Sequence, residues 1–158
     1  MRYFFVILLV FMLTSCEYFK VKKTSSETIL KEELETFNWN DVDVYPTFAQ
    51  CDSVALKEEK KQCFEYAIIE RISDYLHEEM IVVTKDINDT IMLQFQVSKS
   101  GDLTLVNAQI DTLTSQEIPE ISNLLNKSLD ALPKIFPAIK RGQHVTTEFN
   151  LPVIINVD

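Results

Sequence analysis

Residues 144–157 constrain the fold most strongly, because their side chains alternate in character along the whole segment. One set of alternate positions holds Val145, Thr147, Phe149, Leu151, Val153, Ile155 and Val157, and the other includes Thr146, Glu148, Asn150 and Asn156. A period of two is the pattern of a strand with one buried face. Pro152 lies inside the segment, and proline has no N–H to donate to a neighbouring strand. We therefore predict a strand at the edge of a sheet.

Two helices are predicted before this strand. In residues 53–80, apolar side chains recur three and four positions apart, at Phe64, Ala67, Ile68, Ile72, Tyr75 and Leu76. In residues 115–132 a similar set consists of Ile118, Ile121, Leu125, Leu129 and Leu132. This spacing places each set on one helical face, which indicates packing against a core. Pro119 falls in the first turn of the second helix, where proline removes no hydrogen bond.

A β-hairpin is predicted between the two helices. The first strand, residues 90–98, alternates so that Ile91, Leu93, Phe95 and Val97 share one side. Residues 99–102, which include Gly101, have the composition of a turn. On the return strand, residues 103–110, we expect Val106, Ala108 and Ile110 to face inward.

The order helix, strand, strand, helix, strand predicts an α+β domain. Two helices would cover one face of a small antiparallel three-stranded sheet. The chain has 158 residues, of which 46% are apolar. This is enough for one domain with a substantial core.

The first residues have the pattern of a bacterial lipoprotein signal. Arg2 is followed by an apolar run from Phe4 to Leu13, and Ser15 leads into Cys16. The run is about ten residues long, roughly half of what a bilayer-spanning helix needs. We expect cleavage before Cys16 and lipidation of its thiol, with an ordinary cleaved signal as the alternative.

Three segments result from this interpretation: a signal peptide at 1–15, a lipid-anchored tether at 16–44, and a folded domain at 45–158. The tether is polar and shows a short helical period only at residues 29–37. Its Lys20, Lys22 and Lys23 would lie near the membrane surface, where cations are attracted to anionic lipids, or would simply be solvated. The expected location is the bacterial cell envelope, facing the periplasm, with the choice of membrane left open.

Cys51 and Cys63 remain as an even pair once Cys16 carries the lipid. Exported proteins fold in an oxidising compartment, so we expect these two cysteines to form a disulfide. A catalytic or metal-binding role is the alternative. It would require an activating base, and the histidines of the chain are His77 and His144.

Composition argues against several classes of function. The chain has 15 basic and 24 acidic residues, a net charge of −9, which is the opposite of a nucleic-acid-binding surface. Its two glycines, Gly101 and Gly142, cannot build a Gly-rich phosphate loop. Asp86, Asn88 and Asp89 lack the glycine and distal glutamate of a calcium loop, so they are better interpreted as a polar connector. We expect a non-enzymatic protein without a cofactor or a metal.

Several short motifs resemble the C-terminal domain of TonB proteins, in the form common in Bacteroidetes. The motifs are Tyr45-Pro46-Thr47-Phe48, Cys51, Cys63-Phe64, Phe95-Gln96-Val97, Gly101, Leu132-Pro133-Lys134, Pro137-Ala138, Arg141-Gly142, Val145 and Phe149-Asn150-Leu151-Pro152. They extend over residues 45–157, and the Leu-Pro motifs near the end are the most specific. The resemblance implies a fold with the order α-β-β-α-β.

The same resemblance implies a binding module whose last strand pairs with a short N-terminal segment of an outer-membrane transporter. The partner-binding edge would then contain Val145, Thr146, Glu148, Phe149, Asn150, Leu151, Pro152 and Ile154. Glu148 and Asn150 would offer contacts on the solvent side. TonB proper also has an uncleaved inner-membrane helix and a Pro-rich rod, which this sequence does not show. The expectation is therefore partner binding that assists TonB-dependent transport, rather than direct transmission of force.

A second function is compatible with the same fold. The chain would then be a structural envelope lipoprotein that self-associates or acts as a scaffold, because an exposed strand edge can also pair with another copy. A monomer with an open edge favours the transporter hypothesis. A homodimer paired along that edge favours the scaffold.

Overall fold

A computed structural model describes residues 37–38 and 41–157 of the chain. The predicted signal peptide, Cys16 and the tether up to residue 36 lie outside the described residues. The described residues belong to one compact unit. Its strands are β1 (Phe37–Asn38), β2 (Thr47–Phe48), β3 (Ile87–Val97), β4 (Leu103–Gln109), β5 (Ile135–Phe136), β6 (Ala138–Lys140), β7 (Gln143–Val145) and β8 (Thr147–Val157). Its helices are α1 (Lys57–Glu78), α2 (Thr112–Glu117) and α3 (Ile121–Ser128), with a short 3-10 helix at Ala49–Cys51.

The fold is mixed α+β, as predicted, and is built on a sheet with the strand order β1-β8-β3-β4. The three long strands are antiparallel: β3 pairs with β8 from Ile87 opposite Val157 to Val97 opposite Thr147, and it pairs with β4 through a hairpin. The short β1 runs parallel to the start of β8. Two smaller ladders, β2 with β5 and β6 with β7, lie outside this sheet.

The first predicted helix is confirmed as α1, with narrower bounds than residues 53–80. Phe64, Ile68 and Ile72 form its buried face. Glu58 and Glu59 lie in its first turn, where negative charge favours the helix dipole. The helix begins after Leu56, which has an extended backbone. No helix in the described part of the chain has the length and hydrophobicity that crossing a membrane requires.

The second predicted helix is two helices, so the prediction of one continuous helix over residues 115–132 was wrong. The chain leaves the helical conformation at Ile118, where φ is −126° and ψ is 74°. The physical reason is Pro119, because a proline ring disfavours helical backbone in the residue before it. The helix α2 starts earlier than predicted, since the Asp111 side chain accepts a hydrogen bond from the Leu113 N–H and caps it.

The prediction that Val106 faces inward was also wrong. The register between β3 and β4 shifts between Gln94 and Phe95: Phe95 lies opposite Leu105, whereas Gln94 lies opposite Asn107. Val106 is therefore the extra residue of a β-bulge, and its side chain is 50% exposed. The bulge reverses the alternation, so Leu105 faces inward before it and Ala108 after it.

The last predicted strand is divided into two. Residues 143–145 form β7 and pair with β6, with Ala138 opposite Val145, and Thr146 separates β7 from β8. Arg141 and Gly142 join β6 to β7 with φ values of 50° and 77°, the left-handed conformations of a two-residue hairpin turn. Val145 and Thr146 thus precede the last strand rather than belong to it, because Val145 pairs with Ala138 in the hairpin of β6 and β7.

The core lies between the helices and one face of the sheet. Four aromatic rings connect the layers: Phe48 stacks on Phe64 at 4.8 Å, Phe64 meets the edge of Phe149 at 5.9 Å, and Phe149 lies 5.5 Å from Phe95. The predicted disulfide is present, and it joins Cys51 of the 3-10 helix to Cys63 of α1 with a Cα–Cα distance of 5.9 Å.

Candidate functional site

The outer side of β8 is covered only where the strand begins. β3 pairs with β8 along its whole length, from residue 147 to residue 157. On the other side, β1 pairs with Thr147 and Glu148. From Phe149 to Val157 no strand of the described chain lies on that side. The edge predicted from the sequence is therefore open after Glu148, whereas the first two residues of β8 pair with β1.

Proline determines which backbone groups face this open side. Residues of an antiparallel strand direct their N–H and C=O groups alternately to one neighbour and to the other. The register of β3 and β8 passes through Met92 and Pro152 without a shift. Because Pro152 has no N–H, its backbone must face away from β3, and so must those of Asn150 and Ile154. The open edge then offers N–H donors from Asn150, Ile154 and Asn156 and a carbonyl acceptor from Pro152.

The side chains of β8 divide as the alternation predicts. Phe149, Leu151, Val153 and Ile155 are buried against the helices, so they anchor the strand and position its edge. Asn150, Pro152 and Ile154 are exposed on the opposite face, and Ile154 is 66% exposed. An apolar side chain with this exposure is available for contact with an added strand.

Glu148 is already engaged by its neighbours in the sheet. Its Oε1 accepts a hydrogen bond from Gln96 Nε2 at 3.0 Å, and its Oε2 accepts one from Gln94 Nε2 at 3.3 Å. The same residue is paired with Asn38 of β1. Of the two solvent-side contacts predicted from the sequence, Asn150 therefore lies at the open edge, and Glu148 lies at its closed end.

Two further side chains considered in the sequence analysis, His77 and Asp89, make local hydrogen bonds. His77 Nδ1 lies 2.7 Å from the Ser73 carbonyl oxygen, to which its N–H donates. Asp89 Oδ2 accepts hydrogen bonds from the Asp111 N–H and from Thr114 Oγ1, which ties β3 to the start of α2. Over residues 41–157, no three His, Cys, Asp or Glu side chains are grouped so that they could hold a metal ion.

Sequence reasoning missed β1 and the segment that follows it. Val42 is 3% exposed, and its carbonyl accepts a hydrogen bond from Lys57 Nζ at 2.9 Å. The Asp43 and Val44 N–H groups both donate to the Ile139 carbonyl. Two paired residues are too few to produce an alternating pattern, so no periodic signal could have identified β1. The buried Val42 offered only the weak signal of one apolar residue between two aspartates.

In the comparisons with known proteins, no family model, no curated protein and no solved structure matches the chain.

Proposed function

We propose that this chain is a lipid-anchored binding module of the bacterial envelope. It would pair by strand addition along β8 with segments of outer-membrane transporters and assist TonB-dependent transport. The observation that carries the proposal is the edge of β8 from Phe149 to Val157, which has no neighbouring strand in the described chain. The class of partner comes from the sequence resemblance to TonB C-terminal domains.

The chemistry of this edge suits an extended peptide. Main-chain hydrogen bonds supply affinity in strand addition, and the side chains beside them supply selectivity. Residues 150–156 extend for on the order of 20 Å at the rise of a β-strand. Asn150 and Asn156 add polar side chains along this length, and Ile154 adds an exposed apolar one.

Site-specific photo-crosslinking in the native cell tests the proposal. A photo-crosslinking amino acid at Asn150 is expected to trap the N-terminal segment of an outer-membrane transporter, identified by mass spectrometry. The same probe at Glu70, an exposed residue of α1, serves as the control and should not trap it. Capture of only a second copy at Asn150 would overturn the transporter hypothesis in favour of the structural lipoprotein that self-associates.

A pair of substitutions separates backbone pairing from side-chain contact. Ile154→Pro deletes an outward N–H, whereas Ile154→Ala shortens the side chain and keeps the N–H. Because Ile154 is largely exposed, neither change removes a core contact. Strand addition predicts that Ile154→Pro lowers the crosslinking yield at Asn150 well below that of Ile154→Ala. Equal yields would show that the partner does not pair with this backbone.

A further inference from the structure

The pairing of β1 with β8 decides where the open edge of β8 begins. β1 runs parallel to β8, with Phe37 opposite Thr147 and Asn38 opposite Glu148. The backbone groups of Glu148 face outward like those of Pro152, because the two residues lie an even number of positions apart on the same strand. The outward groups of β8 are therefore occupied at Glu148, and no strand of the described chain pairs with those beyond it.

Phe37 is the residue of β1 that faces β8. In a parallel ladder, a residue that faces its neighbour bonds to the two residues on either side of the one opposite. Because Phe37 lies opposite Thr147, this register directs its N–H to the Thr146 carbonyl and its carbonyl to the Glu148 N–H. The N–H and C=O groups of Asn38 then point away from β8. Phe37 and Asn38 are thus adjacent in the chain and opposite in backbone direction.

The segment that follows β1 is fixed to another part of the fold. Val42 is 3% exposed, and its carbonyl accepts a hydrogen bond from Lys57 Nζ at 2.9 Å. The Asp43 N–H donates to the Ile139 carbonyl at 2.8 Å, and the Asp43 carboxylate accepts a hydrogen bond from the Arg141 N–H at 2.6 Å. β1 is therefore joined within a few residues to a firm anchor, which keeps it close to the start of β8.

We propose that β1 is a stop for strand addition, which closes β8 at Thr147 and Glu148 to any incoming strand. The inference rests on the proposed function and deepens it, because it assigns Phe37 the role of a specificity-determining residue. A partner segment then pairs only with residues 150–156. A longer segment gains no affinity from pairing with the first residues of β8.

An incoming strand gains little by displacing β1. It would replace the main-chain hydrogen bonds of Phe37 one for one, so the hydrogen bonding of β8 would not improve. β1 also belongs to the same chain, and a connected segment competes at an effective concentration on the order of millimolar. A partner at a lower concentration therefore adds beside β1 rather than in its place.

Amide hydrogen exchange of the full chain tests whether β1 closes the start of β8. The Phe37 and Glu148 amides should exchange slowly, whereas the Asn38 and Asn150 amides should exchange rapidly. Phe37→Pro removes an N–H that faces β8, and Asn38→Pro, the matched control, removes one that faces away. We expect the Glu148 amide to exchange about tenfold faster or more in Phe37→Pro, and to change less than about twofold in Asn38→Pro. Rapid exchange of the Glu148 amide in the unsubstituted chain would overturn the proposal.

The same measurement with bound peptide tests the consequence for the partner. The probes are synthetic peptides of the N-terminal segments of outer-membrane transporters from the same cell. With a peptide that protects the Asn150 amide, the Phe37 amide should stay protected, because the peptide adds beside β1. Rapid exchange of the Phe37 amide in that complex would show that the peptide displaces β1, and the stop would be disproved.

Failure of the proposed function gives a different result. In that case no peptide protects the Asn150 amide, and the proposed pairing with transporter segments is wrong. Slow exchange of the Phe37 and Glu148 amides in the free chain would still support β1 as the strand that closes the start of β8.

Discussion

Individual residues in this fold are constrained by backbone geometry and by local hydrogen bonds. Gly101 has a φ of +92°, and a Cβ atom built on it would overlap the Ile135 carbonyl oxygen. Gly142 has a φ of +77°, but a Cβ there would meet open space. The two glycines thus share a left-handed backbone and differ in the space that a Cβ atom would have, which makes them a matched pair.

Gly101→Ala should destabilise the domain more than Gly142→Ala does. Left-handed backbone costs an alanine about 1–2 kcal/mol at either position. At Gly101 the displacement of the Ile135 carbonyl adds to this cost. Urea unfolding of the two variants measures the difference, and equal midpoints would show that the contact with Ile135 is unimportant.

Hydrogen bonds to exposed carboxylates predict that the stability of the domain depends on pH. The N–H and Oγ1 of Thr84 both donate to Glu117 Oε2, and they hold the pKa of that carboxyl below its usual value. Bonds from Ser100 and Ser98 lower the pKa of Asp102 in the same way. Because both folded-state pKa values are lowered, this stabilisation is present above the ordinary carboxyl pKa. It is lost as the pH falls through the lowered values.

Thr84→Val should raise the pKa of Glu117 part of the way towards its usual value. The backbone N–H of residue 84 still donates, so the shift is partial. The pKa of Asp102 should not change, which makes it an internal control. Carbon-13 NMR titration of the carboxyl groups measures both; movement of Asp102 together with Glu117 would point to a global rather than a local effect.

At the scale of elements, the helix α1 and the strand β8 depend on the same aromatic contacts. Phe64 is fully buried and touches both Phe48 and Phe149, whereas Tyr66, two residues later, is 65% exposed. The face of α1 that carries Phe64 therefore connects the disulfide-linked 3-10 helix to the candidate binding strand.

Phe64→Ala should lower the free energy of unfolding by about 3–5 kcal/mol, because it leaves a cavity in the core. Tyr66→Ala on the exposed face should change it by no more than about 0.5 kcal/mol. Denaturant unfolding under oxidising conditions compares the two variants while the disulfide stays intact. Similar losses in both would contradict the assignment of the buried face.

The elements also show what could be predicted from the sequence and what could not. The alternation of β8 and the helical period of α1 were sufficient to predict these two elements, because a buried face imposes its period on the residues of the element. Pro119 was a signal for the helix break at Ile118, but the apolar spacing on both sides of the proline favoured one continuous helix. The bulge at Val106 and the parallel pairing of β1 depend on contacts between distant segments, which local periodicity does not report.

At the scale of the whole molecule, the sheet has one face covered by helices and two edges whose backbone N–H and C=O groups have no neighbouring strand in the described chain. β8 forms one edge of the sheet, except where β1 pairs with its first two residues. β4 forms the opposite edge. Exposed strand edges invite pairing with other chains. The contact between Phe64 and Phe149 packs β8 against α1, so the edge of β8 is held in place for a partner.

The proposed function requires that a transporter segment adds to β8 as a strand. Amide hydrogen exchange of the full chain, with and without synthetic peptides of the N-terminal segments of outer-membrane transporters from the same cell, tests it most directly. We predict that the Asn150, Ile154 and Asn156 amides exchange rapidly in the free chain and become protected with one of these peptides. The Leu151 and Val153 amides, which face β3, should be protected in both states. Rapid exchange at Asn150 and Ile154 with every peptide would contradict the account.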